Sequence, residues 1–171
     1  YKIAIIGHRG TPKYESENTI SSFTASLGHK ADGIELDVQI TKDKKLIIFH
    51  DKYLFDNISE INRLTIKEVK EIFHNAGKRF TKLNDIIPLL DKINILNIEI
   101  KSNKLFPSGI EELIVQFIEK HNLMEKTIVS AFNPLILRKI KLLNSSIYTS
   151  YLFSKQEVPW FLKTYHWGKY L

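Results

Sequence analysis

The chain has 171 residues, contains no cysteine and carries 25 Lys and Arg against 19 Asp and Glu, a formal net charge of +6. A disulfide scaffold, a zinc ribbon and a thiol nucleophile are therefore excluded, and any metal must be held by oxygen or imidazole. The lysines are scattered and arginine is rare, which argues against a nucleic-acid-binding module, and no apolar run approaches the roughly 18 residues of a membrane span.

Short β-branched runs alternate with amphipathic segments along the chain. These runs predict six strands, at Lys2–Gly7, Gly33–Ile40, Leu46–His50, Ile93–Lys101, Thr127–Ser130 and Ser146–Phe153. Five helices are predicted between them, at Asn18–His29, Thr65–Phe73, Asn84–Lys92, Ser108–His121 and Pro134–Leu143. This alternation is typical of parallel βαβ units and not of an antiparallel sandwich.

Local signals mark where two of these helices begin. Thr65 followed by Glu68 fits a capping box. Asn133 followed by Pro134 fits an N-cap with proline at the first helical position. Pro88, in contrast, lies inside the third predicted helix and makes that helix the least secure of the five.

Two architectures suit parallel βαβ units: an open doubly wound sheet and a closed (β/α) barrel. The first turn between strand and helix reads Gly7-His8-Arg9-Gly10-Thr11-Pro12, which lacks the glycine pattern of a dinucleotide-binding fold. The chain also contains no Walker A loop. The barrel is therefore the favoured architecture.

Acidic side chains lie on two of the predicted strands. Glu35 and Asp37 alternate with aliphatic residues, so both carboxylates point to one face of their strand. Glu99 and Lys101 share a face of a later strand. If these strand ends converge on one rim, burying three carboxylates without a cation is costly. Oxygen ligands suit one Mg²⁺ or Ca²⁺ ion, which would neutralise this repulsion.

Two histidines and an arginine also fall at predicted strand ends. His8 and Arg9 follow the first strand, and His50 closes the third. The two imidazoles can serve as general acid and general base near neutral pH. Arg9 offers a bidentate contact to a phosphate, and Lys101 offers a point charge. The set points to metal-assisted chemistry on a phosphodiester.

The sequence resembles the glycerophosphodiester phosphodiesterase family. The resemblance rests on eight stretches whose order and spacing match over roughly the first 150 residues. These are Gly7-His8-Arg9-Gly10, Glu17-Asn18-Thr19, Phe23, Asp32 to Gln39, Thr41-Lys42-Asp43, His50-Asp51, Asn97 to Lys101 and Ser130-Ala131-Phe132.

The resemblance implies a (β/α)₈ barrel enzyme that hydrolyses glycerophosphodiesters to glycerol 3-phosphate and an alcohol. In that family the glycerol hydroxyl of the substrate attacks phosphorus, and water opens the resulting cyclic phosphate. Three sets of residues carry over by position. They are Glu35, Asp37 and Glu99 as ligands of one divalent cation, His8 and His50 as the acid/base pair, and Arg9 and Lys101 as phosphate contacts.

The resemblance also bears on the stretch before the first helix and on the expected partners. Asn18 is available as the cap of the first helix, and Glu17 is expected to touch the catalytic rim. The expected partner is a small-molecule glycerophosphodiester, and no feature of the sequence supports membrane contact. The alternatives are a lysophospholipase D or sphingomyelinase D-like lipid phosphodiesterase, or a non-catalytic phosphate-binding module if the barrel is incomplete.

The end of the chain departs from the family pattern. The tail from Val158 to Leu171 matches neither of the last two family strands. We therefore expect one domain, residues 1–171, that lacks its last one to two βα units. The chain begins at Tyr1 and not at Met, so a signal peptide or anchor is neither indicated nor excluded. A cytoplasmic protein is expected rather than a secreted one.

Overall fold

A computed structural model describes residues 3–55, 57–102 and 108–153 of the chain. These residues contain a six-stranded sheet, with strands β1 Ile6–Gly7, β2 Gly33–Ile40, β3 Leu46–Ile48, β4 Ile95–Ile100, β5 Thr127–Ala131 and β6 Tyr148–Tyr151. Five strands are parallel in the order β1-β2-β4-β5-β6. The parallel strands alternate with helices, as the barrel prediction requires.

Four α-helices occur in the described ranges: α1 Ile20–Gly28, α2 Ile66–Asn75, α3 Ile110–Lys120 and α4 Pro134–Leu143. The predicted capping box of α2 is present, because Thr65 accepts from the Glu68 N–H and the Glu68 carboxylate accepts from the Thr65 N–H. Asn133 caps α4 as predicted, with Pro134 in the first turn. The predicted tail from Val158 to Leu171 lies outside the described residues.

The expectation that the third strand joins a parallel barrel wall is wrong. β3 pairs antiparallel with β2, with Val38 opposite Ile48 and Ile40 opposite Leu46. The physical reason is the connection, since only five residues separate the two strands and a parallel crossover needs a dozen or more. β2 and β3 therefore form a hairpin, and His50 follows the returning arm.

Two local predictions also need correction. The segment around Pro88 is a 3₁₀ helix, Leu83–Lys92, because proline supplies no N–H for the α-helical ladder. Helix α1 is capped by Thr19 and not by Asn18: the Thr19 hydroxyl accepts from the Ser22 N–H. Asn18 has a positive φ of 56° and faces the site described below.

The two faces of β2 have different roles. Ile34, Leu36 and Val38 belong to the main hydrophobic core, which also includes Phe23 of α1. All eight residues of β2 are buried, so the alternating Glu35 and Asp37 are buried on the opposite face. The helices thus cover the aliphatic face of the sheet, and the polar face remains for the site.

Close contact between β2 and β4 depends on Gly33. A Cβ atom at this position would lie 2.0 Å from the carbonyl oxygen of Ile95. Gly33 pairs with Ile95 at the start of a six-residue parallel register. The absence of a side chain therefore lets the two strands that carry the carboxylates run side by side.

A second, smaller hydrophobic cluster lies beyond β3. Ile47 and Leu54 pack there with Val69 and Phe73 of α2.

Each helix in the described part of the chain is too short or too polar to span a lipid bilayer.

Candidate functional site

Three carboxylates meet on the polar face of β2 and β4. Asp37 and Glu99 are direct partners in the parallel register, and Glu35 lies two residues before Asp37 on the same face. One oxygen from each carboxylate lies within 4.8 Å of the other two. The residues are only 5%, 0% and 7% exposed, in the order Glu35, Asp37 and Glu99. The structure thus brings together the three predicted metal ligands.

Burial beside two other carboxylates shifts the pKa of Glu35. Loss of water raises the pKa of Glu35 from 4.5 to about 7, and the negative charges of Asp37 and Glu99 act in the same direction. The hydrogen bond from the Arg9 N–H, at 2.8 Å, opposes this shift. Glu35 Oε1 is buried and accepts no hydrogen bond. Its negative charge is therefore poorly compensated by the protein.

Two basic side chains offset part of the negative charge. The Lys101 ammonium lies 3.3 Å from Asp37 Oδ1 and also forms an ion pair with Glu99. Arg9 Nε lies 3.3 Å from Asp37 Oδ2, and Arg9 Nη1 donates to the Glu17 carboxylate at 3.1 Å. Glu17 thus touches the rim as expected, through Arg9. Both predicted phosphate contacts lie against the carboxylates.

The donor set fits a hard divalent cation. Three carboxylates face two cationic side chains, one of which is shared with Glu17. Asp37 Oδ1 and Glu99 Oε1 accept no aligned hydrogen bond, although Lys101 lies close to both. Buried carboxylate oxygens that accept no hydrogen bond match the ligand preference of Mg²⁺ and Ca²⁺, which bind oxygen in preference to sulfur or imidazole.

The two predicted acid/base histidines occupy different surroundings. His8 follows β1, has a largely exposed side chain and places Nε2 3.9 Å from Glu35 Oε2. His50 is partly buried, and its Nδ1 lies 2.8 Å from Asp51 Oδ1. His50 and Lys101 both line a cavity of about 260 Å³. One histidine therefore contacts the carboxylate cluster, and the other borders the adjacent cavity.

Asn18 is a residue of the candidate site for which the sequence predicts only a helix cap. Its Nδ2 donates to Asp37 Oδ2 at 2.8 Å, and its Oδ1 accepts from the Asp37 N–H at 3.3 Å. Asn18 lies in a stretch that matches the family, and the local signal there is an asparagine directly before Thr19, the residue that caps α1. A local pattern of this kind does not predict a contact to a residue 19 positions away.

Comparison with known proteins gives a consistent result. The profile of the glycerophosphoryl diester phosphodiesterase family matches residues 8–167. A glycerophosphodiester phosphodiesterase of Caldanaerobacter subterraneus is 37% identical over 151 residues, covering 82% of this chain and 62% of that protein. A human lysophospholipase D is 25% identical over 188 residues, covering 98% of this chain and 56% of that protein.

The fold agrees with these sequence matches. The crystal structure of a protein described as a putative glycerophosphodiester phosphodiesterase from Galdieria sulphuraria superposes with a TM-score of 0.80 and 25% identity, covering 92% of this chain and 67% of that chain. The chain spans about 60% of the length of the curated relatives. The sequence match, the partial TIM-type barrel and the clustered carboxylates agree, and the chain belongs to the glycerophosphoryl diester phosphodiesterase family.

Proposed function

We propose that the protein is a metal-dependent phosphodiesterase that hydrolyses small glycerophosphodiesters to glycerol 3-phosphate and an alcohol. The observation that carries this proposal is the buried cluster of Glu35, Asp37 and Glu99, with His8 beside it and His50 at the adjacent cavity, in a chain of this family. A cation held by these carboxylates would lie where negative charge develops during the reaction, as it does on a phosphodiester.

The three carboxylates would hold one Mg²⁺ or Ca²⁺ ion. When bound, the ion supplies positive charge that draws the phosphodiester towards the cluster and stabilises its developing negative charge. Arg9 and Lys101 contribute further positive charge at the cluster. Each has donors beyond those directed at Asp37, and these donors can contact phosphate oxygens.

His8 and His50 are the proposed proton carriers. One imidazole accepts a proton from the glycerol hydroxyl as its oxygen bonds to phosphorus, and the other donates a proton to the departing alcohol oxygen as its bond to phosphorus breaks. Water then opens the cyclic phosphate with the two proton transfers reversed. The proposal suits the site, because within residues 3–55, 57–102 and 108–153 the groups with a hydrogen-bond or ion-pair contact to the carboxylates include no serine or threonine nucleophile.

The test is release of glycerol 3-phosphate from glycerophosphocholine and glycerophosphoethanolamine, followed by ³¹P NMR with Mg²⁺ or Ca²⁺ present. We expect His8→Ala and His50→Ala each to lower kcat by at least about 100-fold, and chelation to abolish turnover. His74→Ala, an exposed histidine of α2, is the matched control and should keep full activity. Turnover that persists in excess chelator, or no release from either substrate, would contradict the proposal.

A lysophospholipase D activity is the second candidate, favoured by the human relative of that name. The two activities differ in whether the glycerol carries an acyl chain. Parallel assays with glycerophosphocholine and lysophosphatidylcholine separate them through the ratio of kcat/KM values. Metal binding without turnover of either compound would indicate the non-catalytic binding module.

A further inference from the structure

His50 comes to the site on a hairpin arm and not on a strand of the parallel wall. Its neighbour Phe49 donates a backbone hydrogen bond to the Asp37 carbonyl at 3.0 Å, and β3 ends just before it at Ile48. Beyond this point the sheet no longer fixes the chain. The position of the imidazole must therefore be set by side-chain contacts.

Gln39 makes such contacts on both sides of His50. Its Nε2 donates to the carbonyl oxygens of Phe49 and Asp51, each at 2.8 Å. These are the two carbonyls that flank His50 along the chain, and both amide hydrogens of Gln39 are used. Gln39 is 9% exposed and lies on the same face of β2 as Asp37. A buried amide thus joins the carboxylate strand to the histidine backbone.

Side-chain contacts complete the arrangement around His50. Asp51 Oδ1 lies 2.8 Å from His50 Nδ1, so a proton on Nδ1 is directed at the carboxylate and Nε2 is the nitrogen left for chemistry. The Phe49 ring packs edge-on against Phe55 and Phe73, with centroid distances of 5.5 and 5.4 Å. This packing fixes the residue before His50 independently of Gln39.

We propose that Gln39 is a positioning residue for His50: by holding the carbonyls of Phe49 and Asp51 it places His50 Nε2 for proton transfer. The catalytic part of this inference rests on the proposed function, whereas the placement of the ring does not. Gln39 has no contact with the three carboxylates among the hydrogen bonds and ion pairs of the described residues. Its effect on activity should therefore pass through His50 and not through metal binding.

The variant Gln39→Met keeps the length and volume of the side chain but removes both donors. Gln116→Met, at an exposed position on α3, is the matched control. Three measurements are made on the full chain: ¹⁵N NMR of the histidine rings, Mg²⁺ and Ca²⁺ affinity by calorimetry, and kcat and KM for glycerophosphocholine. Thermal unfolding of each variant establishes that it is folded.

We expect the His50 ring in the wild type to show one tautomer, protonated at Nδ1, and Gln39→Met to give averaged ring nitrogen shifts. kcat should fall about 10- to 100-fold with little change in KM or metal affinity, and Gln39→His, which restores a donor, should recover part of kcat. Gln116→Met should resemble the wild type in every measurement.

Unchanged His50 shifts in folded Gln39→Met, or a loss of metal affinity as large as the loss of kcat, would overturn the inference. Absence of turnover in the wild type would contradict the proposed function. The ¹⁵N shifts of the His50 ring would then test, without activity data, whether Gln39 places that ring.

Discussion

Asn18 and Asp37 form a reciprocal pair in which the asparagine amide donates to the carboxylate and its carbonyl accepts from the Asp37 N–H. Asp37 is completely buried, and Asn18 is 5% exposed. The amide therefore fixes the orientation of a carboxylate that also contacts Arg9 and Lys101. Groups that orient metal ligands in this way affect metal affinity although they never touch the ion.

We predict that Asn18→Ala weakens Mg²⁺ or Ca²⁺ binding by about 10-fold or more, because the orienting hydrogen bonds to Asp37 are lost. The variant should also lose about 2–4 kcal/mol of stability. Part of this comes from the unpaired buried groups and part from placing alanine at a φ of 56°. Calorimetric titration and denaturant unfolding measure the two effects.

The backbone contribution can be measured separately at Asn122, which has a φ of 53° and is exposed. Asn122→Ala should cost only about 1–2 kcal/mol and leave metal affinity unchanged. Equal metal affinity in Asn18→Ala and the wild type would show that the Asn18 amide does not orient the ligand.

Lys101 should have opposite effects on metal binding and on catalysis. Its ammonium forms ion pairs with Asp37 and Glu99, so it competes with a cation for the same oxygens. We predict that Lys101→Met binds Mg²⁺ or Ca²⁺ several-fold more tightly. Its kcat/KM for glycerophosphocholine should fall about 10- to 100-fold if, as proposed, Lys101 donates a charged hydrogen bond to the phosphate. Calorimetry and initial rates measure these two quantities.

The matched control for Lys101 is Lys67→Met on the exposed surface of α2, which should change neither quantity. If Lys101→Met loses metal affinity, Lys101 supports the carboxylate cluster instead of competing with the ion. If activity is retained, Lys101 does not contact the phosphate.

Glu35 should make the metal-free protein less stable as the pH rises. The pKa of Glu35 is about 7 in the folded chain, and the reference value of 4.5 represents the unfolded chain. The folded state therefore holds the proton more tightly, and stability falls as the pH rises from about 4.5 to 7. In excess chelator, Glu35→Gln should equal the wild type near pH 4.5 and exceed it by about 3 kcal/mol at pH 8.

Urea unfolding at a series of pH values gives this difference directly. Glu125→Gln, which replaces an exposed carboxylate after α3, should show no such dependence. Adding Mg²⁺ or Ca²⁺ should stabilise the wild type more than Glu35→Gln, because the ion then compensates the charge. A difference that is constant with pH would rule out the raised pKa.

The sequence predicts some elements closely because their signals are local. β2 and α4 have the predicted bounds: β2 alternates aliphatic and polar residues along its length, and the Asn133 cap and Pro134 fix the first turn of α4. The alternation of strands and helices does not predict the antiparallel pairing of β3, which follows from the short connection between β2 and β3. That five-residue turn already excluded a parallel crossover.

Strand ends and the family resemblance predict seven site residues, and the structure places six of them within 4 Å of another member of the set. The six residues are Glu35, Asp37, Glu99, Arg9, Lys101 and His8. The sequence does not predict site roles for Asn18 and Gln39, because each contacts partners distant in sequence. Such contacts depend on the packing of α1 and the hairpin against β2, and no periodicity in one segment encodes them.

The turn that carries His8 and Arg9 depends on Gly10. Its φ is +85°, and a Cβ atom there would lie 2.6 Å from the carbonyl carbon of Ser22 in α1. We predict that Gly10→Ala costs at least about 2–3 kcal/mol, from the backbone strain and from the displaced helix. The Arg9 N–H bond to Glu35 belongs to the same turn, so metal affinity should fall with stability.

Gly28 is the matched control, because a Cβ atom there meets nothing within 4 Å at the last residue of α1. Gly28→Ala should leave stability unchanged or raise it by up to about 1 kcal/mol, since alanine restricts the unfolded chain. Urea unfolding of both variants measures the contrast. An unfolding midpoint of Gly10→Ala equal to that of the wild type would mean that the turn adapts to a side chain. The close approach of Gly10 to Ser22 would then not be what holds Arg9 beside the carboxylates.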